Sequence, residues 1–143
     1  WVDTILDVDL PANVKLLRQE YVEDERELIA MLGGPAIHAC YLGLWDDDAH
    51  ALFRRTSLSS KLTTYAAAGR PVIVDGPGDS VAWRLVEEYG AGCRCRTAEK
   101  PGIELVFGDK DVWAAMAAGA RRLCRERFDL DDNLARWRQV VCE

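Results

Sequence analysis

The stretch TSLSSKLTTYAAAGRPVIVDG, residues 56–76, decides the fold class, because a helix and a strand follow one another within it. Hydroxyl side chains at residues 57–60 can cap a helix, and residues 62–68 are rich in helix formers that stop at Gly69. After this glycine, residues 71–74 form a short apolar run with proline first, where a strand loses no hydrogen-bond donor. The stretch therefore predicts a helix followed by a buried strand.

The charge of Lys61 does not suit its place in this helix. Lys61 falls in the first turn, where the helix dipole is positive and backbone N–H groups are free. A cation there is mildly unfavourable unless an anion shares the site, and a phosphate is one candidate. Lys61, Thr64 and Tyr65 are spaced i, i+3 and i+4, so they lie on one side of the helix.

The flanking segments continue the alternation of strands and helices. The predicted strands are residues 14–17, 36–42, 71–74 and 91–95, and the predicted helices are residues 23–32, 62–68, 80–89, 111–128 and 131–141. We therefore expect an α/β fold, a Rossmann-like parallel sheet with helices on both faces and residues 72–74 in a central strand. Residues 1–12 show no clean period and are left unassigned.

Composition and charge restrict the class of protein. The chain has 143 residues, 49% of them hydrophobic, and a formal net charge of −6, which together predict one globular cytoplasmic domain that does not bind nucleic acid. Arg121, Arg122, Arg125 and Arg127 form one basic cluster, which we interpret as a solvated helix face. The alternative for this cluster is a contact with an acidic membrane surface or RNA, so membrane association stays open.

Cysteine and histidine positions predict neither a disulfide framework nor a metal site. Five scattered cysteines fit reduced thiols, with Cys40 and Cys124 buried. Cys93 and Cys95 are separated by one residue, whereas zinc sites usually have two to four. Residues 46–48 are interpreted as a solvated acidic loop, and His38 as a core histidine in its strand. We expect no metal and no cofactor.

Ligands of open α/β sheets bind beyond the carboxyl ends of the strands, where helices begin. Two segments occupy such positions, residues 56–64 and residues 76–80. In the second segment, glycines would let a ligand approach the backbone closely, and Ser80 caps the next helix. His50, which follows the acidic loop, is a further candidate for the cleft.

The run SKLTTYAAAGRPVI, residues 60–73, resembles the S-K-x-x-E-Y-x-A-A-G-x-P-V-I stretch in the nucleotide-sugar domain of GT-B-fold glycosyltransferases of the group 1, family 4-like kind. Residues 14–17 and 25–32 are similar to an earlier unit of that domain, and residues 125–128 match its C-terminal end. The resemblance extends over residues 13–141 and is most specific between residues 60 and 74.

This resemblance implies transfer of a hexosyl group from a nucleotide-diphosphate sugar. Residues 13–143 would be part of the donor-binding domain at the C-terminal side of a GT-B architecture, incomplete at its N-terminus. A separate domain or a partner chain would bind the acceptor, so this chain alone is not expected to turn over. The donor site would comprise Ser59, Ser60, Lys61, Thr64, Gly76, Gly78, Asp79 and Ser80, with Ser60 and Lys61 near the diphosphate and the glycine loop near the sugar.

Two positions depart from the family pattern. Family members usually have glutamate where this chain has Thr64, and many have another where it has Thr56, a further cleft candidate. A hydroxyl cannot make the charge-assisted pair of hydrogen bonds that a carboxylate makes. The alternatives are therefore a non-catalytic module of the same fold, which binds a nucleotide or a partner, and an epimerase. The donor, the acceptor, the stereochemical outcome and the catalytic residues stay open, and an uncovered apolar surface predicts a homo-oligomer.

Overall fold

The computed structural model describes residues 22–95 and 101–141, so the predicted strand at residues 14–17 and the unassigned residues 1–12 lie outside the described residues. Three parallel strands form one sheet in the order β1 (Cys40–Gly43), β2 (Val72–Asp75) and β3 (Gly92–Cys95). The parallel sheet and the central position of residues 72–74 are both confirmed.

Seven helices surround this sheet in the described part of the chain. They are α1 (Glu25–Leu32), α2 (Ala51–Thr56), α3 (Ser60–Ala67), α4 (Val81–Glu88), α5 (Pro101–Gly108), α6 (Lys110–Arg127) and α7 (Leu130–Val141), and a short 3₁₀ turn, Asp48–His50, precedes α2. Five of these helices are predicted with ends within two residues. In α3 the predicted stop is observed, because Gly69 has a φ of 64° and donates its N–H to the carbonyl of Ala66.

The two faces of the sheet carry separate apolar cores. Val72 and Val74 point to one face, where they pack with side chains of α3, α4 and α6, including Leu62, Val86 and Leu123. Ile73 points to the other face and packs with Cys93 and with Val106 of α5. Each fully buried side chain of this size contributes about 1.5–3 kcal/mol. Helices therefore cover both faces, as predicted.

The first described strand is shorter than predicted, since β1 begins at Cys40 and not at residue 36. Cys40 donates its N–H to the carbonyl of Pro71, but Pro71 has no N–H with which to continue the ladder back to His38. The His38 carbonyl accepts instead from the indole Nε1 of Trp113 at 2.8 Å. The His38 ring is also exposed and not in the core, although its Nε2 lies 2.8 Å from the carbonyl oxygen of Val106.

Sequence patterns did not reveal α2 and α5. The six residues of α2 are too few for a helical period, and none of them is buried. The run PGIELVFG of α5 is almost uniformly apolar and begins with a proline and a glycine, which together favour a turn. Contacts with α4 position α2, and contacts with β3 and α6 position α5.

Thiols and the basic cluster also differ in part from expectation. Cys40 is a buried free thiol whose pKa burial raises to about 11, whereas Cys124 is free but only half-buried. On α6, Arg122 donates to the carbonyl of Tyr89 at 2.8 Å and Arg127 donates to Glu88 at 2.8 Å. All four arginines of the cluster are exposed, and two of them also hold α6 against the end of α4. No helix in the described ranges is both long and apolar enough to cross a bilayer.

Candidate functional site

A cleft of about 400 Å³ opens where β1 ends and where α3 and α4 begin. Gly43 and Leu44, at the end of β1, form its floor, and Ser80 and Ala82 contribute from the start of α4. The two remaining walls are α2 with the loop before it and the approach to α3, and their lining residues are Trp45, Phe53, Arg54, Ser57, Leu58, Ser59, Ser60 and Lys61. Its position is the one where open α/β sheets bind ligands.

The N-terminus of α3 meets this cleft without a side-chain cap. Ser59 is the N-cap residue, but its hydroxyl accepts no hydrogen bond from the first turn. The matching residues of α1, α4 and α6 are Asp24, Ser80 and Asp109, and each accepts at least one backbone N–H. The positive end of α3 is therefore less neutralised by the protein itself than the ends of these helices.

Lys61 adds a positive charge to this helix end. The residue is exposed, and no ion pair formed among residues 22–95 and 101–141 involves its ammonium group. The hydroxyls of Ser57, Ser59 and Ser60 line the same wall. This arrangement can bind an anion through backbone N–H groups, hydroxyls and one ammonium group.

Four of the eight predicted donor-binding residues line the cleft, namely Ser59, Ser60, Lys61 and Ser80. Ser80 is buried, its Oγ accepts the N–H of Trp83 at 3.1 Å, and its hydroxyl donates no hydrogen bond to another of the described residues. Thr64 lies one turn further along α3, is half-buried, and is not part of the cleft wall.

Asp79 makes two ion pairs that join the loop before α4 to α2. Its Oδ2 lies 2.6 Å from Nε of Arg55, and its Oδ1 lies 3.1 Å from Nε of Arg54. These two hydrogen bonds lower the pKa of the Asp79 carboxyl to about 2 from its ordinary 3.8, and the one from Arg55 has the larger effect. Asp79 is consequently an anion held by protein cations, and its predicted contact with a donor would have to share them.

Arg54 is a cleft residue that the sequence did not reveal. Its side chain is only 10% exposed, and besides Asp79 it donates from Nη1 to the carbonyl of Asp47 at 2.8 Å. It thereby connects α2, the preceding loop and the start of α4. The sequence signal was the adjacent pair of arginines before Thr56, but their significance depends on α2, which was not predicted.

The two predicted glycines, Gly76 and Gly78, lie close to protein atoms. A Cβ at Gly76 would lie 2.8 Å from Cβ of Leu44, and a Cβ at Gly78 would meet the guanidinium of Arg94. Packing within the protein therefore requires glycine at position 76, whereas the contact at position 78 is with the far end of a flexible arginine side chain. Neither glycine is part of the cleft wall.

The further candidates Thr56 and His50 belong to α2 and to the turn before it. Thr56 donates its hydroxyl proton to the carbonyl of Leu52 at 2.8 Å, one helical turn earlier. His50 places Nδ1 2.6 Å from Oδ1 of Asp47, and this hydrogen bond lowers the pKa of the Asp47 carboxyl. Neither side chain lines the cleft.

Two exposed aromatic side chains, Trp45 and Phe53, face the cleft and were not among the predicted site residues. Their exposed fractions are 56% and 55%, and their ring centroids are 5.5 Å apart. In the sequence, Trp45 directly precedes the acidic loop of residues 46–48, and this position alone does not mark it as a site residue. In the fold, Phe53 of α2 lies next to Trp45, and the two rings together line one wall of the cleft.

The described residues contain no group of three histidine, cysteine, aspartate or glutamate side chains that could hold a metal ion. The chemical groups that line the cleft are serine hydroxyls, the cations of Arg54 and Lys61, and aromatic rings. Comparisons with protein-family models, with curated proteins and with solved structures give no match for this chain.

Proposed function

We propose that this chain is the donor-binding portion of a glycosyltransferase that moves a hexosyl group from a nucleotide-diphosphate sugar to an acceptor. One observation carries the proposal. The uncapped N-terminus of α3, the ammonium of Lys61 and three serine residues line a single cleft at the carboxyl edge of a parallel sheet. A diphosphate is an anion that this combination can accommodate.

The same groups suit the chemistry of sugar transfer. When the bond between the sugar and the diphosphate breaks, negative charge develops on the departing phosphate oxygens. Donors fixed in advance around that charge stabilise the transition state without reorganising. Lys61 and the first N–H groups of α3 would supply this stabilisation, and Ser80 could add a hydroxyl proton.

The sequence resemblance supports this assignment independently of the electrostatics. The motif of residues 60–73 corresponds to α3 and the start of β2, so its S-K pair forms the first two residues of the helix at the cleft. The resemblance further implies a GT-B architecture in which a second domain or a partner chain binds the acceptor. Binding of the donor is therefore the first activity to measure.

A non-catalytic nucleotide-binding module of the same fold is the second candidate, and one observation favours it. Thr56 and Thr64 replace the glutamates of the family pattern, the Thr56 proton is already donated to Leu52, and Thr64 is not on the cleft wall. No carboxylate residue lines the cleft formed by the described residues. The charge-assisted contact that a carboxylate makes with a ribose would be missing.

Substitution of Lys61 by alanine tests the anion site. We expect Lys61→Ala to weaken binding of UDP, GDP or ADP roughly tenfold to a hundredfold, because a hydrogen bond to a charged group contributes about 1.5–3 kcal/mol. Folding should be almost unaffected, since the dipole disfavours this cation by roughly 0.3–1 kcal/mol. Calorimetric titration of wild type and variant measures the affinities.

Lys110→Ala is the matched control for this test. Lys110 is also an exposed lysine in the first turn of a helix, but the N-cap of that helix, Asp109, accepts two backbone N–H groups. Its removal should leave nucleotide affinity unchanged. Equal affinities for wild type and Lys61→Ala would contradict the anion site.

A panel of UDP-, GDP- and ADP-sugars then separates the two candidates. Nucleotide release by the protein together with its acceptor-binding domain or partner supports the transferase. Tight nucleotide binding without release, under the same conditions, supports the non-catalytic module.

A further inference from the structure

We infer that the cleft recognises a ring beside the phosphate group, with Trp45 and Phe53 as the stacking surface. This inference rests on the proposed anion site at Lys61 and specifies the class of ligand. The ligand would be a phosphorylated compound that carries a nucleobase or a sugar ring, and free inorganic phosphate or pyrophosphate would fill only part of the cleft.

Trp45 and Phe53 are exposed to solvent at the cleft. Each leaves more than half of its surface in water where it lines the open cleft. Their rings lie 5.5 Å apart and are tilted by 48°, so together they form an apolar corner. Large aromatic side chains placed this way gain stability when a ring covers them.

The protein also holds this aromatic surface in a fixed position. The His50 ring packs against Trp45 at a centroid distance of 4.4 Å, and Oδ1 of Asp47 holds His50 in turn through Nδ1. Arg54 holds the Asp47 carbonyl and is itself anchored by Asp79. A preorganised surface avoids the cost of ordering side chains on binding.

The walls of the cleft differ in the chemical groups that they present. One wall carries hydroxyls and the Lys61 ammonium, and another carries aromatic faces. An anion alone leaves the aromatic faces uncovered. A nucleotide or a sugar phosphate has a phosphate for the one wall and a ring face for the other, because every nucleobase has a π-face and a sugar ring has an apolar face of C–H bonds.

Three probes distinguish these ligands in the test. UDP carries a base and a diphosphate, glucose 1-phosphate carries a sugar ring and a phosphate, and inorganic pyrophosphate carries no ring. Each is titrated calorimetrically into wild type, Trp45→Ala, Phe53→Ala and Lys61→Ala. The controls are Trp137→Ala on α7 and Leu52→Ala on α2, which remove exposed apolar side chains that do not line the cleft.

We expect Trp45→Ala and Phe53→Ala to weaken UDP or glucose 1-phosphate roughly fivefold to a hundredfold, the range that loss of a stacked base produces. Pyrophosphate affinity should not change in these two variants, whereas Lys61→Ala should weaken all three probes. Loss confined to UDP identifies the base as the stacked ring, and loss confined to glucose 1-phosphate identifies the sugar. Both controls should bind as wild type does.

Two different results separate the failure of this inference from the failure of the proposed function. If wild type binds the probes and Lys61→Ala weakens them, but Trp45→Ala and Phe53→Ala change nothing or weaken pyrophosphate equally, the stacking surface is wrong and the anion site stands. If wild type binds none of the probes, both the anion site and the stacking surface are overturned. Thermal unfolding of each variant verifies that an altered affinity does not reflect misfolding.

Discussion

Two acidic side chains near the end of β2 make short contacts with hydrogen-bond donors. Asp79 pairs with two arginines, and Asp75 accepts the hydroxyl proton of Tyr41 at 2.5 Å from the neighbouring strand. Asp75 and Tyr41 lie on the face of the sheet opposite to Val74, so they do not belong to the core that contains Val72 and Val74. Each pair links a strand or loop to a partner more than 20 residues away in the sequence.

The Tyr41 and Asp75 pair gives a prediction in alkaline solution. The hydrogen bond to Asp75, with a smaller effect of burial, raises the pKa of Tyr41 to about 12 from its ordinary 10.0. Because the folded pKa is the higher one, the pair contributes stability below pH 10 and loses it as the pH rises through about 12. We expect the ultraviolet absorbance titration to show a tyrosine that ionises near pH 12.

The variant Tyr41→Phe assigns this titration. It should remove the step near pH 12 and leave the other tyrosines unchanged, and it should make the unfolding free energy less dependent on pH between 10 and 12. A wild-type minus variant difference that titrates near pH 10 would show that the hydrogen bond to Asp75 is absent in solution.

At the scale of elements, α6 joins the two cores of the domain. Its first part places Trp113 and Met116 against the core that contains Ile73, and its later part places Ala120 and Leu123 against the core that contains Val72. Gly119 lies between these parts, where the helix meets the end of α4. An added Cβ there would overlap the carbonyl groups of Tyr89 and Gly90.

We therefore expect Gly119→Ala to destabilise the fold by about 1–3 kcal/mol, although alanine is the better helix former. The backbone of α4 cannot yield as a flexible side chain could. Gly108→Ala is the matched control, because a Cβ at Gly108 meets nothing within 4 Å and the backbone there is not left-handed. This control should be neutral or stabilising by up to about 1 kcal/mol.

Urea unfolding followed by circular dichroism measures both glycine variants. A Gly119→Ala protein as stable as wild type would mean that α6 is not in close contact with the end of α4. If the slope of the unfolding free energy against urea concentration is the same in the variant and in wild type, the substitution acts on the native state.

At the scale of the whole molecule, α7 carries more exposed large apolar side chains than any other helix or strand whose side chains the structure describes. None of its residues is buried, and Leu130, Leu134, Trp137, Val140 and Val141 are all exposed, with Trp137 at 70%. Positions 130, 134, 137 and 141 recur at helical spacing and form one stripe. Contiguous apolar surface of this kind favours association with another protein surface.

We expect the protein to associate in a concentration-dependent way through this stripe, as the predicted homo-oligomer requires. Sedimentation velocity over a range of concentrations should show a shift to heavier species, and Trp137→Glu should reverse it. Leu52→Glu, at an equally exposed position on α2, should not. A wild-type chain that sediments as a monomer at every concentration would contradict the prediction.

The sequence by itself determined the class of fold and most of its elements. Local patterns suffice for this purpose: Gly69 and Gly90 end helices through a left-handed backbone, Ser80 caps α4, and the apolar run after Pro71 has no alternative to burial. Alternation of such elements then implies a parallel sheet. The same local reasoning identified Lys61 and the serines before it, because a cation at a helix N-terminus is visible in the sequence alone.

Only the tertiary structure decided which groups share the cleft. Arg54, Trp45 and Phe53 belong to a short helix and a loop whose positions depend on Asp79 and Asp47, and no local pattern encodes a contact across 25 residues. The tertiary structure also shows that Asp79, Gly78 and Thr56 contact other residues of the protein, namely Arg54 and Arg55, Arg94, and Leu52 respectively. The physical reason is that caps and turns arise from neighbours in the chain, whereas ion pairs and aromatic walls arise from neighbours in space, which exist only after the sheet and its helices have packed.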